Sequence, residues 1–272
     1  MNIICQTVGI DVSKDELMVY FECLDNHLQA KKLGRRKFHN SPKGYQARAW
    51  RPINKSMRRL REYVRERQAI KQLKTQAQNR LHAQRNGRHQ ELRTVKRLEQ
   101  QIRLFERQLQ QIEQDITKMR VKDEQLDQQV QLLCTIPHIG VITACVILAE
   151  TNGFNLFESR SQLIKYAGLD IVEKQSGASL YGKARISKKG NANLRTAPFM
   201  SAIGLVNSQT VFGETYQRNL AKHGKGRKAT MAVVRQLLKV AYGVFKSQRS
   251  YDEEIHRLRL QKEIGEQKVR LQ

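Results

Sequence analysis

The stretch 176–195 places three serines, three glycines and five cationic side chains within twenty residues and contains no carboxylate. Ser187 lies just before an apolar helical pattern that runs from Leu194 to Leu205. Unpaired N–H groups in the first turn of such a helix attract anions. A hydroxyl at that position can attack a phosphorus atom while nearby cations neutralise the developing charge. The stretch therefore predicts a phosphate site with Ser187 as its nucleophile.

The positive charge of this stretch comes from Lys183, Arg185, Lys188, Lys189 and Arg195. Gly182 and Gly190 let the backbone approach a ligand closely. Asn191 or Asn193 is expected to cap the helix that follows. A plainer interpretation is a basic loop that only touches the backbone of a nucleic acid, because serine is common in loops and spacing alone identifies no base beside it.

The charge balance of the whole chain indicates a polyanionic partner. Its 272 residues carry a formal net charge of +25, and a field of this size favours nucleic acid. From Lys174 to Tyr251 the only carboxylate is Glu214, against fifteen lysines and arginines. A second basic group in this segment, Lys225, Arg227 and Lys228, precedes a predicted helix over 229–245. No phosphate-loop frame surrounds it, which argues against nucleotide hydrolysis.

The cysteines and the apolar runs indicate a cytoplasmic protein. Cys5, Cys23, Cys134 and Cys145 form no CxxC pair and lie inside apolar runs, so we expect reduced core thiols rather than a zinc site or disulfides. No apolar run approaches the ~18 residues of a membrane span, and the amino terminus lacks the layout of a signal peptide. The prediction is a bacterial-type, nucleoid-associated protein on DNA or RNA.

Three short strands are predicted at the amino terminus, over 8–12, 17–21 and 37–39. They have the order expected for the opening hairpin of an RNase H-like or RuvC-like sheet. Asp11 interrupts the first apolar strand, where such folds place a carboxylate that binds a divalent metal. The alternative is that Asp11 is an edge residue or a turn anchor.

Long helices are predicted from residue 56 to about 130. Apolar residues at spacings of three and four form a heptad seam from Val95 to Met119, and a looser stripe runs from Met57 to Leu81. Asn86-Gly87 separates the two. The pattern predicts two helices folded into a coiled-coil hairpin, whose seam could also bind a second copy of the chain.

Residues 132–144 have the layout of a helix-hairpin-helix element. Its Pro-His-Ile-Gly turn ends at Gly140, and backbone N–H groups in such a turn can hold a phosphate without reading sequence. His138 stands where glycine is more usual. The turn is therefore either a DNA contact or purely structural.

Four motifs together resemble a known family: residues 8–14 (VGIDVSK), 136–140 (IPHIG), 166–169 (YAGL) and 186–195 (ISKKGNANLR). The chain resembles the insertion-sequence transposases that include the Piv invertase and the bridge-RNA-guided recombinases. The resemblance implies a RuvC-like domain with four acids, a coiled coil and a transposase domain with a serine nucleophile. It matches Asp11 to the first acid of a Mg²⁺ site, and Ser187 to the serine, with Ser176 as the second candidate. It also implies insertion-sequence ends and target DNA as partners, a structured guide RNA and a homo-oligomer.

One departure from the family pattern concerns the RuvC-like domain. Members continue from the third strand to three further acids, whereas here Gly44 is followed almost at once by residues 47–52. We therefore expect an internally shortened copy. The predicted fold is α+β and mostly α. Its parts are a RuvC-like remnant over 1–46, coiled-coil helices over 47–130, a transposase domain over 131–250 and a charged tail over 251–272.

Three functions follow from these observations. The chain is an insertion-sequence transposase or recombinase using Ser187 and Asp11, with activity impaired by the shortening. Alternatively, it is a catalytically silent relative that binds DNA or RNA and inhibits an intact copy. The third hypothesis is a basic structural nucleic-acid binder, which the motif around Ser187 argues against.

Overall fold

The computed structural model describes residues 3–12, 16–25, 30–39, 54–88, 90–172, 175–176, 180–181 and 185–269. Side chains are described for 18–22, 34–37, 54–88, 90–172 and 185–262. The chain forms two compact units, Met1–Pro52 and Ile53–Gln272. It is mostly helical with small antiparallel sheets, which confirms the predicted α+β class with a helical majority.

The first unit contains an antiparallel sheet in the order β1-β2-β3, formed by Ile3–Val12, Glu16–Asp25 and Ala30–His39. Asp11 lies on β1 opposite Met18 of β2. The third strand is ten residues long rather than the predicted three, because its polar sequence carries no apolar alternation. Residues 34–37 of this edge strand are exposed, so backbone pairing with β2 defines the strand.

The second unit begins with a helical hairpin of α1 (Lys55–Arg85) and α2 (Leu92–Lys122). The break at Asn86-Gly87 is where the sequence predicts it. Leu60 and Val64 of α1 and Ile116 of α2 are buried. Three ion pairs join the helices: Arg67–Glu113 at 2.7 Å, Lys74–Glu106 at 2.9 Å and Arg85–Glu99 at 2.7 Å. Their partners run in opposite order along the chain, so the helices are antiparallel.

A third helix, α3 (Glu124–Cys134), follows α2 directly. The helical pattern in the sequence continues to about residue 130 without a visible break. Asp123 creates the break: its backbone N–H still bonds the Met119 carbonyl, while its carboxylate accepts the Leu126 N–H at 3.0 Å. Asp123 thus ends one helix and caps the next.

The remaining elements build the core around the longest carboxy-terminal helix. They are α4 (Val141–Thr151), α5 (Arg160–Tyr166), α6 (Ala192–Leu205), α7 (Val211–His223), α8 (Gly226–Ser247) and α9 (Glu253–Val269), with two-stranded sheets β4 (Ile171–Val172)–β7 (Arg185–Ile186) and β5 (Gln175–Ser176)–β6 (Leu180–Tyr181). Helix α8 packs against α3, α5, α6 and α7. Leu133, Leu163, Leu194 and Leu237 are fully buried between these helices. This core supports the turns on which the candidate site is built.

Cys134 and Cys145 are free thiols. Burial raises the pKa of Cys145 to about 12, which keeps it protonated and unreactive at neutral pH. Cys5 and Cys23 lie outside the described side chains. Within the described part of the chain, none of the helices combines the length and apolar character needed to cross a bilayer.

Replacing Asp123 by alanine should lower the free energy of unfolding by about 1 kcal/mol, because it removes the side-chain cap of α3. Urea unfolding followed by circular dichroism measures this change. Gln125→Ala, at an exposed position of the same helix, is the control and should change stability by no more than a few tenths of a kcal/mol. Equal stability of the two variants would contradict the capping role.

Candidate active site at the Ser187 loop

The Ser187 loop, residues 187–191, is held against the turn that follows α5. Three backbone hydrogen bonds join them: Ser187 N–H to the Asp170 carbonyl at 2.9 Å, Lys188 N–H to the Gly168 carbonyl at 3.0 Å and Asn191 N–H to the Tyr166 carbonyl at 2.8 Å. The β4–β7 pair continues this contact, with Ile171 opposite Ile186. The structure thus brings together the YAGL and ISKKGNANLR motifs, which are separated in the sequence.

Two glycines allow this close approach. Gly168 has φ +65°, and a Cβ there would lie 2.9 Å from the Lys188 carbonyl carbon. Gly190 has φ +139°, and a Cβ there would overlap the Tyr166 carbonyl oxygen. Both positions combine a backbone conformation that side chains disfavour with contact to another backbone segment. The loop geometry therefore depends on glycine at both positions.

The Ser187 hydroxyl is oriented by two neighbours. It donates a short hydrogen bond to Asp170 Oδ1, and its oxygen accepts the Lys189 N–H at 3.3 Å. A carboxylate in this position can receive the hydroxyl proton when the oxygen attacks an electrophile. Asp170 was not predicted from the sequence, because a separation of 17 residues carries no local spacing signal.

Helix α6 starts directly after the loop. Asn191 Oδ1 accepts the Leu194 N–H at 3.0 Å, so Asn191 is the cap of the two predicted candidates. The first turn of α6 contains no acidic residue. Arg195 Nη1 donates to the Ala167 carbonyl at 2.8 Å and so ties α6 back to the turn after α5. The N–H groups at the entrance of α6 consequently lie beside the Ser187 loop.

A fully buried carboxylate, Glu150 at the end of α4, connects this loop to the helical hairpin. Arg65 of α1 binds it with two hydrogen bonds of 2.8 Å, from Nε and Nη2. The side-chain amides of Asn191 and Asn193 donate to it at 2.7 and 3.0 Å. Asn193 therefore binds Glu150 rather than capping the helix. An acid inside the apolar sequence of α4 was the signal that could have revealed this site, because buried acids need partners.

The Glu150 carboxyl group is ionised at neutral pH. Burial alone would raise its pKa, but hydrogen bonds from Arg65, Asn191 and Asn193 outweigh that effect and lower the pKa to about 2. The same contact raises the pKa of the Arg65 guanidinium. The four groups form a charged network that holds α1, α4 and α6 together.

The other predicted cations lie on several elements. Arg185 is on β7 opposite Val172, and Lys188 and Lys189 are exposed on the Ser187 loop. The second basic group lies at the start of α8: Lys225 precedes the helix, and Arg227 and Lys228 are exposed in its first turn. Lys183 lies outside the described residues.

Two further predicted residues are located only by their backbone. Ser176 lies on β5 opposite Leu180, and Asp11 lies on β1 of the other unit; neither side chain is described. Gly140 is exposed and precedes α4, in the turn that joins α3 to α4. His138 in the same turn has φ +60°, which explains why glycine is more usual there.

The described side chains provide no group of three or more His, Cys, Asp or Glu residues that could hold a metal ion. Asp170 and Glu150 are instead occupied by the hydrogen bonds given above. Neither residue is therefore a candidate Mg²⁺ ligand, and the side chain of Asp11, to which the resemblance assigns the Mg²⁺ site, lies outside the described residues.

The residues of the candidate site lie in a segment of the chain that is similar to known proteins. A family model described as "Transposase IS116/IS110/IS902 family" matches residues 130–217. The pilin gene-inverting proteins of Moraxella bovis and Moraxella lacunata are each 32% identical over 133 residues, which is 48% of this chain and 41% of theirs. An insertion element IS110 uncharacterized 43.6 kDa protein of Streptomyces coelicolor is 29% identical over 121 residues, 44% of this chain and 30% of its own. The chain thus spans less than half of these relatives, and the predicted resemblance to insertion-sequence transposases is confirmed.

Glu150→Gln should remove one component of the pH dependence of stability. The Glu150 pKa is lower in the folded than in the unfolded chain, where it is about 4.5. Its ionised form therefore stabilises the fold above about pH 4.5, and this contribution disappears as the pH falls through about 2. At neutral pH the variant should lose about 2 kcal/mol, less than a fully buried pair because Arg65 is half exposed. Urea unfolding at several pH values measures both effects.

Glu66→Gln, at an exposed position of α1, is the matched control for Glu150→Gln. It removes the same charge and should leave unchanged the decrease in the free energy of unfolding at low pH. If Glu150→Gln and Glu66→Gln gave the same curve, the network would not stabilise the fold.

Gly190→Ala should destabilise the protein by at least about 2 kcal/mol, because the new Cβ overlaps the Tyr166 carbonyl and the backbone conformation is strained. Thermal unfolding measures the loss. Gly226→Ala is the control: a Cβ there would lie 3.1 Å from the hydroxyl of the flexible Tyr216 side chain, so the change should stay within about 1 kcal/mol. A Gly190→Ala variant as stable as the control would show that the loop does not need this close approach.

Proposed function

We propose that this chain cleaves and exchanges DNA strands, because residues 130–217 match the model of the IS116/IS110/IS902 family of transposases. The proposal rests on one observation: the Ser187 hydroxyl donates a hydrogen bond to the Asp170 carboxylate beside the amino-terminal end of α6, which contains no acidic residue in its first turn. The names of two relatives point the same way, since both are pilin gene-inverting proteins.

The proposed reaction is a transesterification at phosphorus. Ser187 Oγ attacks a DNA phosphate, so one O–P bond forms and one bond between phosphorus and a sugar oxygen breaks. The hydroxyl proton passes to Asp170, and the departing sugar oxygen takes up a proton from water. The N–H groups of the first turn of α6 and the exposed Lys188 and Lys189 stabilise the charge that develops on the phosphate. The product is a serine–phosphate linkage that a second strand can resolve.

The DNA surface proposed for this reaction extends beyond the loop. It includes Arg185, the exposed Lys225, Arg227 and Lys228 at the start of α8, and the helix-hairpin-helix turn at Gly140. Arg195 and Lys183, two of the five cations of the stretch 176–195, complete the proposed set. The partners proposed are insertion-sequence ends, target DNA and a structured guide RNA.

The helical hairpin is the proposed dimerisation element. Ile102, Phe105 and Leu109 belong to the heptad seam of α2 but are only partly buried. A seam that is partly exposed within one chain can bury more apolar area against a second copy. A homo-oligomer through this seam is therefore the assembly we propose.

A catalytically silent DNA and RNA binder is the alternative function. The remnant over 1–46 contains no carboxylate after Asp25, and the next acid in the sequence is Glu62. Under this alternative, nucleic acid is still bound by the transposase domain over 131–250 and the helices over 47–130. The shortened amino-terminal part and the tail over 251–272 then contribute nothing to catalysis. Such a chain would inhibit an intact copy by occupying its DNA.

The test is capture of the serine–phosphate linkage on labelled supercoiled DNA that carries the insertion-sequence ends flanking the gene. The unmodified chain should form a covalent protein–DNA complex that survives denaturation. Ser187→Ala should abolish it, and Asp170→Asn should lower its rate by about a hundredfold, because the proton acceptor is lost. Ser176→Ala is the matched serine control and should leave the complex intact.

Three other results would change the assignment. Loss of the complex in Ser176→Ala but not in Ser187→Ala would make Ser176 the nucleophile and Ser187 a residue that positions the loop. Binding of DNA without a covalent complex would favour the silent alternative. Absence of both binding and linkage would refute the proposed function.

A further inference from the structure

The end of the helical hairpin at which α1 meets α2 is strongly basic. Residues 80–99, which we call the hairpin tip, contain six lysines and arginines against two carboxylates, Glu91 and Glu99. Glu99 binds Arg85 at 2.7 Å. Glu91 caps α2, where its Oε1 accepts the Arg93 N–H at 3.2 Å. Both carboxylates of the tip thus have a structural role.

The other cations of the tip are exposed and form no ion pair with an acid in the described part of the chain. They are Arg80, Arg88, Arg93, Lys96 and Arg97. Nearer to α4 the hairpin differs, because Arg65 binds Glu150, Arg67 binds Glu113 and Lys74 binds Glu106. The positive charge that the hairpin leaves open to a partner is therefore concentrated at its tip.

Three of these cations lie where they lower the stability of α2. Arg93, Lys96 and Arg97 are three and four residues apart, so they lie on one side of the helix, and like charges at these spacings repel each other. Arg93 also lies in the first turn of α2, where the helix dipole disfavours a cation, and that turn contains no acidic residue. A polyanion bound at the tip would replace this repulsion by attraction.

The length of α1 sets the distance between the tip and the Glu150 network. Arg65 and Arg85 are twenty positions apart on this one helix, which corresponds to about 30 Å at the rise of an α-helix. The same length is spanned by about nine base pairs of duplex DNA. DNA bound at the Ser187 loop therefore has to extend by about this length to reach the tip.

We propose that the hairpin tip binds the phosphate backbone of the same double-stranded DNA that Ser187 cleaves, about nine base pairs from the cleaved phosphate. The identity of this partner rests on the function proposed above. Flexible, exposed arginines and lysines suit phosphate contacts that position a duplex without reading its sequence. The hairpin thus holds flanking DNA while the Ser187 loop acts on the exchange site.

The experiment measures binding of a labelled duplex of about 24 base pairs by fluorescence anisotropy, in the full chain with Ser187→Ala so that no cleavage occurs. Adding Arg88→Gln, Arg93→Gln and Lys96→Gln should weaken binding by about tenfold at 0.1 M salt and reduce the salt slope by about three. The control adds Arg103→Gln, Arg107→Gln and Lys122→Gln, three exposed cations of α2 outside the tip. It removes the same charge and should change both values far less.

Thermal unfolding separates a binding role from a structural one. Because the tip cations repel each other, the triple tip variant should keep its melting temperature or raise it by about 1–2 °C. A lower melting temperature would contradict this premise and overturn the proposal.

A duplex of about 8 base pairs tests the distance, because it is too short to reach from the Ser187 loop to the tip. The triple tip variant should weaken its binding by less than about twofold. An equal loss on the short and the long duplex would overturn the proposed spacing, and an equal loss in the tip variant and the control would indicate diffuse charge instead.

Two further measurements test other occupants of the tip. Weaker binding of a labelled RNA duplex with unchanged binding of DNA would overturn the proposal in favour of a structured RNA. A changed oligomeric state in sedimentation with unchanged DNA binding would overturn it in favour of a second copy of the chain. All binding values come from the Ser187→Ala chain, so failure here is distinguishable from failure of the cleavage reaction.

Discussion

The buried carboxylate of Glu150 is the interaction on which the candidate site depends. A charge removed from water is unfavourable unless strong donors surround it. Glu150 meets this condition only where Arg65 of the helical hairpin, Asn191 and Asn193 converge at one point. Because Asn191 also caps α6 and ends the Ser187 loop, a single anion fixes the hairpin, the helix entrance and the loop relative to one another. The hairpin is therefore part of the support of the site.

The loop itself is positioned by backbone contacts rather than by its charged side chains. Its N–H groups bond carbonyls of the turn after α5, which leaves Lys188 and Lys189 exposed. Gly168 and Gly190 allow the two backbones to meet. As a result, the cations of the motif are available to a ligand, while the positions that hold the loop carry no charge. A motif rich in lysine can thus be rigid without internal ion pairs.

Local signals in the sequence predicted local structure well. Asn86-Gly87 ended α1, and one of two candidate asparagines capped α6, because turns and caps depend on neighbouring residues. The contacts of Asp170 with Ser187 and of Glu150 with Arg65 were not predicted, since they join residues 17 and 85 positions apart. The start of α3 was missed for a different reason: Asp123 ends α2 and caps α3 without interrupting the apolar pattern. Sequence therefore located the loop but not the carboxylates that support it.

The charged residues that give the chain its net charge of +25 are distributed unevenly along the sequence. Ten carboxylates lie within 54–134, and three of them form ion pairs between α1 and α2. Only Glu214 lies between Lys174 and Tyr251, and it pairs with Arg257 of α9 at 2.7 Å. The hairpin thus neutralises part of its charge internally, whereas the segment from Lys174 to Tyr251 carries fifteen lysines and arginines against one carboxylate. Cations in such excess repel one another, and the nucleic acid proposed as the partner would supply the opposite charge.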